Sequence, residues 1–208
     1  MSRIAHGSAL LAAVLLVSAV LAGCVAPTGV PPVTGPDSDS LPSARVNAEI
    51  PDCPETDLGS DGVAGGLPAM VLGCLGSDRQ VNLAALRGTP MVINIWAQWC
   101  EPCRAEAPAL ARFAAAVDQA GVDQEVLVLG INFDDPDPEA ALAFAAAADW
   151  SYPHVADPLK RTAGALGLTG IPVTLFVDAD GVIVHRAAGA VDDEMLIELT
   201  ARHLRVTV

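Results

Sequence analysis

Hydrophobic positions divide the chain into an apolar N-terminal run, a polar segment and a long region that alternates between strand-like and helix-like patterns. That region, 52–208, contains three apolar, β-branched segments typical of buried strands, at 91–97, 125–132 and 173–177. Between them, 105–120 and 138–148 are rich in alanine and repeat apolar residues at helical spacing. Strands that alternate with helices in this way predict an α/β fold class.

Shorter patterns complete this region. Two apolar segments, 69–72 and 80–83, flank a turn-forming Gly-Ser-Asp cluster and predict an N-terminal β-hairpin. Asp157-Pro158 is a typical helix start, and 173–185 contains a second hairpin turn. The segment 192–204 begins with acids and ends with basic residues, which match the dipole of a closing helix.

Residues 1–23 have the layout of a signal peptide: a basic head, an apolar run and small residues at its end. The run would span a membrane only marginally, so an uncleaved anchor helix is the alternative. Leu21-Ala22-Gly23-Cys24 resembles the lipobox of bacterial lipoproteins, in which the cysteine, here Cys24, takes a diacylglycerol and becomes the new N-terminus. We therefore expect a lipid anchor that holds the protein on the extracytoplasmic face of the cell membrane.

The segment 24–51 is rich in proline, serine and aspartate and lacks hydrophobic periodicity, so it is predicted to be a flexible tether ahead of one domain, 52–208. The charge balance, 11 Lys and Arg against 25 Asp and Glu, argues against nucleic acid as a partner. An acidic protein is also repelled by anionic lipid headgroups, so the acyl chains must provide the membrane attachment.

The segment Trp99-Cys100-Glu101-Pro102-Cys103 joins a predicted strand to a predicted helix. The unsatisfied N–H groups of a helix N-terminus favour a thiolate at Cys100, and Cys103 lies one turn further on, where it can resolve a mixed disulfide. Pro102 suits the first turn of a helix, and the negative charge of Glu101 opposes the thiolate and favours a reducing pair. This arrangement predicts redox catalysis.

Other functions of these cysteines are weaker alternatives. A zinc site needs four ligands, and the sequence has no second Cys-x-x-Cys and no His-x-x-x-His. A disulfide across a two-residue gap would constrain the unfolded chain very little. His154 and His185, together with the two cysteines, are the only basis for a copper-binding chaperone. We predict no metal and no cofactor.

The segment from Ile95 to Cys103 resembles the active site of the thioredoxin superfamily, and more closely its membrane-tethered TlpA/ResA/CcmG-like thiol-disulfide oxidoreductases. The resemblance runs from about Leu67 to the C-terminus. It implies a thioredoxin fold, with a central mixed β-sheet flanked by helices and the hairpin as an N-terminal extension. It also implies that Cys100 and Cys103 form a redox-active disulfide.

The resemblance assigns roles to further residues. It implies that Pro172 is cis beside the active-site disulfide and that the backbone of Ile171 binds an extended substrate. In the cytochrome-maturation thioredoxins a glutamate at the position of Glu106 is partly buried and tunes the second cysteine. The alternative for Glu106 is a first-turn acid that stabilises the helix dipole. Asn94 stands at the position where classical thioredoxin has a buried aspartate. Its side-chain amide, unlike a carboxyl group, cannot exchange a proton.

Cys53 and Cys74 are expected to form a structural disulfide, because exported proteins usually pair their cysteines. A second redox pair is the alternative. The expected function is a disulfide reductase that acts on protein substrates, with apocytochrome c as one class, and that is recharged by a membrane electron donor of the thiol-reductase type. A disulfide oxidase or isomerase of secreted proteins would use the same residues. We expect a monomer.

Overall fold

A seven-stranded mixed β-sheet forms the centre of the protein in the computed structural model, which describes residues 40–120 and 126–208. The predicted signal peptide, Cys24 and most of the predicted tether lie outside the described residues. The strands are β1 (Val71–Cys74), β2 (Gln80–Asn82), β3 (Met91–Trp96), β4 (Leu127–Phe133), β5 (His154–Asp157), β6 (Val173–Val177) and β7 (Ile183–Ala188).

The helices are α1 (Ser40–Asn47), α2 (Glu101–Ala120), α3 (Pro138–Ala147), α4 (Arg161–Leu166) and α5 (Asp193–Leu199), which continues as a π-helical turn (Thr200–Leu204). A short 3₁₀ helix (Leu83–Ala85) follows β2. Among the described helices, none has the combination of length and apolar character that crossing a bilayer requires.

The strand order is β2-β1-β5-β4-β3-β6-β7, with β3, β4 and β5 parallel and the other neighbours antiparallel. Every residue of β3 is buried, as expected for a central strand covered by helices on both faces. The structure confirms the predicted α/β class, the mixed sheet flanked by helices and the N-terminal hairpin of β1 and β2.

The two faces of the sheet bury separate cores. One core contains Trp96 and Phe176 together with Leu110 and Phe113 of α2. The other contains Ile95 and Leu129 from alternate strand positions, with residues from the 3₁₀ helix and α4. Because side chains of a strand point to opposite faces in turn, the same strands contribute to both cores.

Strand β5 lies where no strand is predicted from the sequence. Asp157, which was expected to start a helix, is the last residue of this strand. Its carboxylate still acts as a cap, because it accepts hydrogen bonds from the backbone N–H groups of Arg161 at 2.8 Å and Thr162 at 2.8 Å. The capping signal was therefore correct, but the helix begins at Arg161, four residues later.

The folded part begins ahead of residue 52, within the segment predicted to be a tether. Helix α1 packs against α3, and Ile50 is 2% exposed. Arg45 fixes the end of α1 through hydrogen bonds from Nε to the carbonyl of Gly76 at 3.1 Å and from Nη1 to that of Ile50 at 2.7 Å. Such a short helix gains its stability from tertiary contacts, which its own sequence does not reveal.

A close approach in the sheet centre requires glycine at position 130. A Cβ atom on Gly130 would lie 1.9 Å from Nδ1 of His154 on β5 and 2.9 Å from Nε1 of Trp96 on β3. Both side chains are buried, so neither can move into solvent. The imidazole therefore occupies the space where a larger residue at position 130 would place its side chain.

Candidate active site

The two cysteines of the predicted site lie where β3 passes into α2. A turn follows the end of β3, closed by a hydrogen bond from the N–H of Cys100 to the carbonyl of Ala97 at 3.1 Å. Helix α2 begins at Glu101, so Cys100 directly precedes its first turn and Cys103 lies within it. The strand thus directs the nucleophile to the N-terminus of a 20-residue helix.

Cys100 and Cys103 form a disulfide with a Cα–Cα distance of 5.3 Å. Cys100 is 4% exposed and Cys103 is fully buried. The backbone N–H of Cys103 points at Sγ of Cys100, with an N–S distance of 3.3 Å. A donor in this position stabilises negative charge on Sγ, so the geometry favours a Cys100 thiolate once the bond is reduced.

The residues around the cysteines differ in exposure. Glu101 and Pro102 are exposed on the first turn of α2. The Trp99 side chain is 51% exposed, and its indole N–H donates to the carbonyl of Asp134 at 2.9 Å. The hydrogen bond therefore fixes the apolar ring of the residue that precedes Cys100, and about half of the side chain is accessible to a binding partner.

Ile171 and Pro172 directly precede β6, the strand that pairs with β3. The Ile171–Pro172 bond is cis, and the carbonyl of Pro172 accepts a hydrogen bond from the N–H of Gly189 at 3.0 Å. Val173, the next residue, pairs with Ile95 on β3. This register places Pro172 level with the end of β3, from which the turn leads to Cys100.

Glu106 is a buried carboxyl one helical turn after Cys103. Its side chain lies under α2, where Oε1 accepts from the amide of Asn94 at 2.8 Å and Oε2 accepts from the N–H of Val191 at 2.9 Å. Burial raises the pKa of Glu106 to about 7, against the lowering effect of those two hydrogen bonds. The group can therefore exchange a proton near neutral pH, beside a residue, Asn94, that cannot.

Sequence reasoning missed Asp135, in the loop after β4. Asp135 is 3% exposed, and its Oδ2 accepts hydrogen bonds from the N–H of Gln98 at 3.0 Å and from the amide of Asn132 at 3.1 Å. A signal was available, because polar residues that follow parallel strands meet at the carboxyl edge of a sheet, where α/β proteins place their sites.

The structure also pairs Cys53 with Cys74, at a Cα–Cα distance of 5.9 Å. Both are buried, and Cys74 is held in β1, which pairs with β5. Strand β4 separates β5 from β3, so this disulfide lies apart from Cys100. In the described part of the chain, Asp52 with Cys53 and Cys74 is the one group near enough to share a metal, but the two sulfur atoms are already bonded together.

His154 and His185 lie too far apart to bind one metal ion together. They lie on β5 and β7, four strand positions apart, which is roughly 19 Å at the usual spacing of strands. Burial lowers the pKa of His154 to about 3, and the ring stays neutral. A copper site shared by these two histidines is therefore incompatible with the fold.

Comparison with known proteins places this arrangement in a family. The model of the AhpC/TSA family matches residues 67–186, a range that includes Cys100, Cys103 and Pro172. The chain belongs to the AhpC/TSA family. This finding confirms the predicted membership of the thioredoxin-like proteins.

Two curated proteins that are similar in sequence to this AhpC/TSA protein are thiol:disulfide interchange proteins. DsbE of Pseudomonas fluorescens biotype C is 36% identical over 130 residues, which cover 61% of this chain and 66% of that protein. The DsbE homolog of Paracoccus denitrificans is 35% identical over 157 residues, 74% of this chain and 72% of that protein. The match thus leaves about a third of the first relative and over a quarter of the second outside it.

A solved structure agrees with the fold. The crystal structure of a secreted thiol-disulfide isomerase from Corynebacterium glutamicum is 26% identical, with a TM-score of 0.57 over 71% of this chain and 93% of that one. Together with the curated relatives, it supports the prediction of a thioredoxin-fold thiol-disulfide oxidoreductase.

Proposed function

We propose that the protein is an extracytoplasmic disulfide reductase, anchored by a lipid on Cys24, in which Cys100 attacks disulfides of protein substrates and Cys103 resolves the mixed disulfide. One observation carries this proposal: the N–H of Cys103 points at Sγ of Cys100 at the N-terminus of α2. The names of the curated relatives, thiol:disulfide interchange proteins, support the reaction class.

The reaction consists of two exchange steps. In the reduced protein the Cys100 thiolate attacks one sulfur of a substrate disulfide, the substrate S–S bond breaks, and the other substrate sulfur leaves as a thiolate. Cys103 then loses its proton and attacks Sγ of Cys100, which releases the second substrate thiolate and forms the Cys100–Cys103 disulfide. The substrate gains two electrons, and each of its thiolates takes up a proton.

Glu106 provides a proton acceptor for the second step. Cys103 is fully buried, so its thiol needs a nearby base before it can attack. The Glu106 carboxyl lies one turn further along α2, and its pKa of about 7 suits proton exchange at neutral pH. In this role Glu106 replaces the buried aspartate for which this chain has Asn94.

Substrate binding is assigned to the surface around the exposed Trp99. An extended polypeptide that hydrogen-bonds to the backbone of Ile171, beside Pro172, would present its disulfide to Cys100. Apocytochrome c is one substrate class that the family resemblance implies. A membrane electron donor of the thiol-reductase type would return the Cys100–Cys103 disulfide to the reduced state, and the protein would act as a monomer.

The direction of the reaction is tested by the reduction potential of the Cys100–Cys103 pair, equilibrated with glutathione or dithiothreitol. A value near that of thioredoxin, about −270 mV, agrees with a reductase. A value near that of DsbA, about −120 mV, would instead identify an oxidase of secreted proteins.

The substrate is identified by trapping. A Cys103→Ala variant, expressed in the native host, should accumulate mixed disulfides on Cys100 that dithiothreitol releases for mass spectrometry. The matched control is the double variant Cys100→Ser with Cys103→Ala, which should trap nothing. Equal trapping by both variants would contradict the assignment of Cys100 as the nucleophile.

A further inference from the structure

The loop that follows β4 holds the turn that carries the nucleophile. The N–H of Gln98 donates to Oδ2 of Asp135 at 3.0 Å, and the indole N–H of Trp99 donates to the carbonyl of Asp134 at 2.9 Å. Gln98 and Trp99 are the two central residues of the turn that leads to Cys100. Two adjacent residues of one loop therefore hold both of them.

Asp135 is the buried member of this loop. Its Oδ2 accepts a second hydrogen bond from Asn132 at 3.1 Å, whereas Oδ1 is buried and has no hydrogen-bond partner among the described residues. No basic side chain in the described ranges forms an ion pair with Asp135. A buried carboxylate without a counter-ion is costly to the fold, and such costs are typical of functional positions.

We propose that Asp135 is a positioning residue that fixes the turn presenting Cys100 and places a negative charge behind it, which disfavours the Cys100 thiolate. The inference rests on the proposed reductase function, in which that thiolate is the attacking group. A charge that destabilises the reduced form makes the cysteine pair a stronger electron donor. Asp135 thus opposes the N–H of Cys103, which favours the thiolate.

The other charged groups on the elements around Cys100 are weaker candidates for this role; they are Glu101, Arg104, Glu106, Asp134 and Lys160. The first two are exposed, so water screens their charges. Asp134 is neutralised by Lys160, with an Oδ2–Nζ distance of 2.7 Å. The Glu106 carboxyl is buried beneath α2, where it accepts a hydrogen bond from the side-chain amide of Asn94.

Asp135 is bound to the chain two residues ahead of the nucleophile, because its Oδ2 lies 3.0 Å from the backbone nitrogen of Gln98. Gln98 and Cys100 belong to one β-turn, whose first and fourth Cα atoms lie within about 7 Å of each other. An uncompensated charge about 10 Å from a thiolate, at an effective dielectric constant of about 20, changes the ratio of thiolate to thiol by about tenfold, which corresponds to about one unit in the thiol pKa.

The test is the pH profile of Cys100 alkylation in the reduced protein, followed with iodoacetamide between about pH 5 and 9 and assigned by peptide mapping. Asp135→Asn keeps an oxygen acceptor for Gln98 but removes the charge. We expect its profile to move about one unit toward acid, with a rate about tenfold higher than wild type on the acidic side and the same plateau at high pH. Asp135→Glu, which keeps the charge, should stay close to wild type.

Asp134→Asn is the matched control, because it removes the neighbouring, ion-paired charge, and we expect a change of less than about twofold. A folded Asp135→Asn protein whose profile superimposes on wild type would overturn the proposal, as would an equal shift in Asp134→Asn. If Asp135→Asn does not fold, Asp135→Ser gives the same comparison without charge. Insulin reduction by wild type is measured separately, so loss of the reductase function would be recognised independently of the alkylation profile.

Discussion

The described part of the protein contains two disulfides on opposite faces of one sheet. Cys100 and Cys103 belong to the core under α2, and Cys53 and Cys74 belong to the core on the other face. The first pair is separated by 3 positions and lies at a helix N-terminus, beside the exposed Trp99. The second is separated by 21 positions, and Cys74 is held within a strand. From these positions we expect the first pair to exchange with other disulfides and the second to contribute stability.

The carboxyl group near each disulfide shows the same contrast. Burial pushes the pKa of Asp52 upward, but hydrogen bonds and the charges of Arg79 and Arg45 outweigh it, so the net shift is downward. Oδ1 of Asp52 lies 3.4 Å from Sγ of Cys74 and remains a carboxylate there. Burial dominates at Glu106 and raises its pKa to about 7. Of these two carboxyl groups, Glu106 is therefore the one that can exchange protons near neutral pH.

The largest expected effect separates the two disulfides by activity. Cys100→Ser should reduce insulin-reductase activity by about a thousandfold or more, because Cys103, the other described thiol at the N-terminus of α2, is fully buried and cannot reach a substrate. The double variant Cys53→Ala with Cys74→Ala should keep more than about half of the activity at 25 °C. A comparable loss in the double variant would mean that the two pairs act together.

Stability should show the reverse order. Loss of the Cys53–Cys74 disulfide opens a loop of 21 positions, and the chain-entropy model gives a decrease of about 3 to 4 kcal/mol in the free energy of unfolding. Urea denaturation of the double variant measures this quantity. A decrease below about 1 kcal/mol would argue against a structural role for this pair.

The pH dependence of stability should isolate Glu106. Its pKa is about 7 in the folded protein against 4.5 ordinarily, so the folded state binds more protons between these values. The stability that this group contributes is greatest below about pH 4.5 and is lost as the pH rises to 7, by up to about 3 kcal/mol.

Glu106→Gln removes this titration, so the difference in unfolding free energy between wild type and variant should change by about 2 to 3 kcal/mol between pH 4.5 and 7.5. Taking the difference cancels His154, which acts in the opposite direction because its pKa falls to about 3. A difference that is constant with pH would show that Glu106 does not titrate in this range.

The smallest expected effect concerns Arg79, which binds the backbone of Cys53 next to the Cys53–Cys74 disulfide. Arg79 donates from Nη1 to the carbonyl of Cys53 at 2.6 Å and forms a longer, partly exposed ion pair with Asp52. Arg79→Ala should lower the free energy of unfolding by about 1 kcal/mol, mainly through the lost hydrogen bond. Arg112→Ala, which removes an exposed ion pair with Asp193, is the control and should leave the free energy of unfolding nearly unchanged, because water screens that pair.

Local patterns were sufficient to predict most of the sheet. Strand β3, helix α2 and the hairpin of β1 and β2 have strong hydrophobic periodicity or clear turn residues, and the structure contains all of them. Strand β5 has only four residues, ends in an aspartate that also resembles a helix cap, and depends on pairing with β1 and β4. Non-local pairing of this kind leaves little trace in the sequence.

The candidate site shows a similar limit. The two cysteines and Pro172 come from recognisable motifs, and the structure brings them together at the end of β3. The burial of Glu106 and the contact of Asp135 with Gln98 depend on elements far apart in the sequence, including the loop of Val191 that covers Glu106. The spacing of residues along a helix predicts the face on which a side chain lies. It does not predict which other elements of the fold cover that face.

The close approach at Gly130 also limits how this protein can change. A methyl group there would collide with His154, so Gly130→Ala alone should be harmful, whereas the same change after His154→Ala would avoid that collision and leave only the close contact with Nε1 of Trp96. The order of the two substitutions thus matters, and one route between the two sequences passes through a poorly folded protein. Directed evolution or sequence design in this region should therefore vary positions 130 and 154 together.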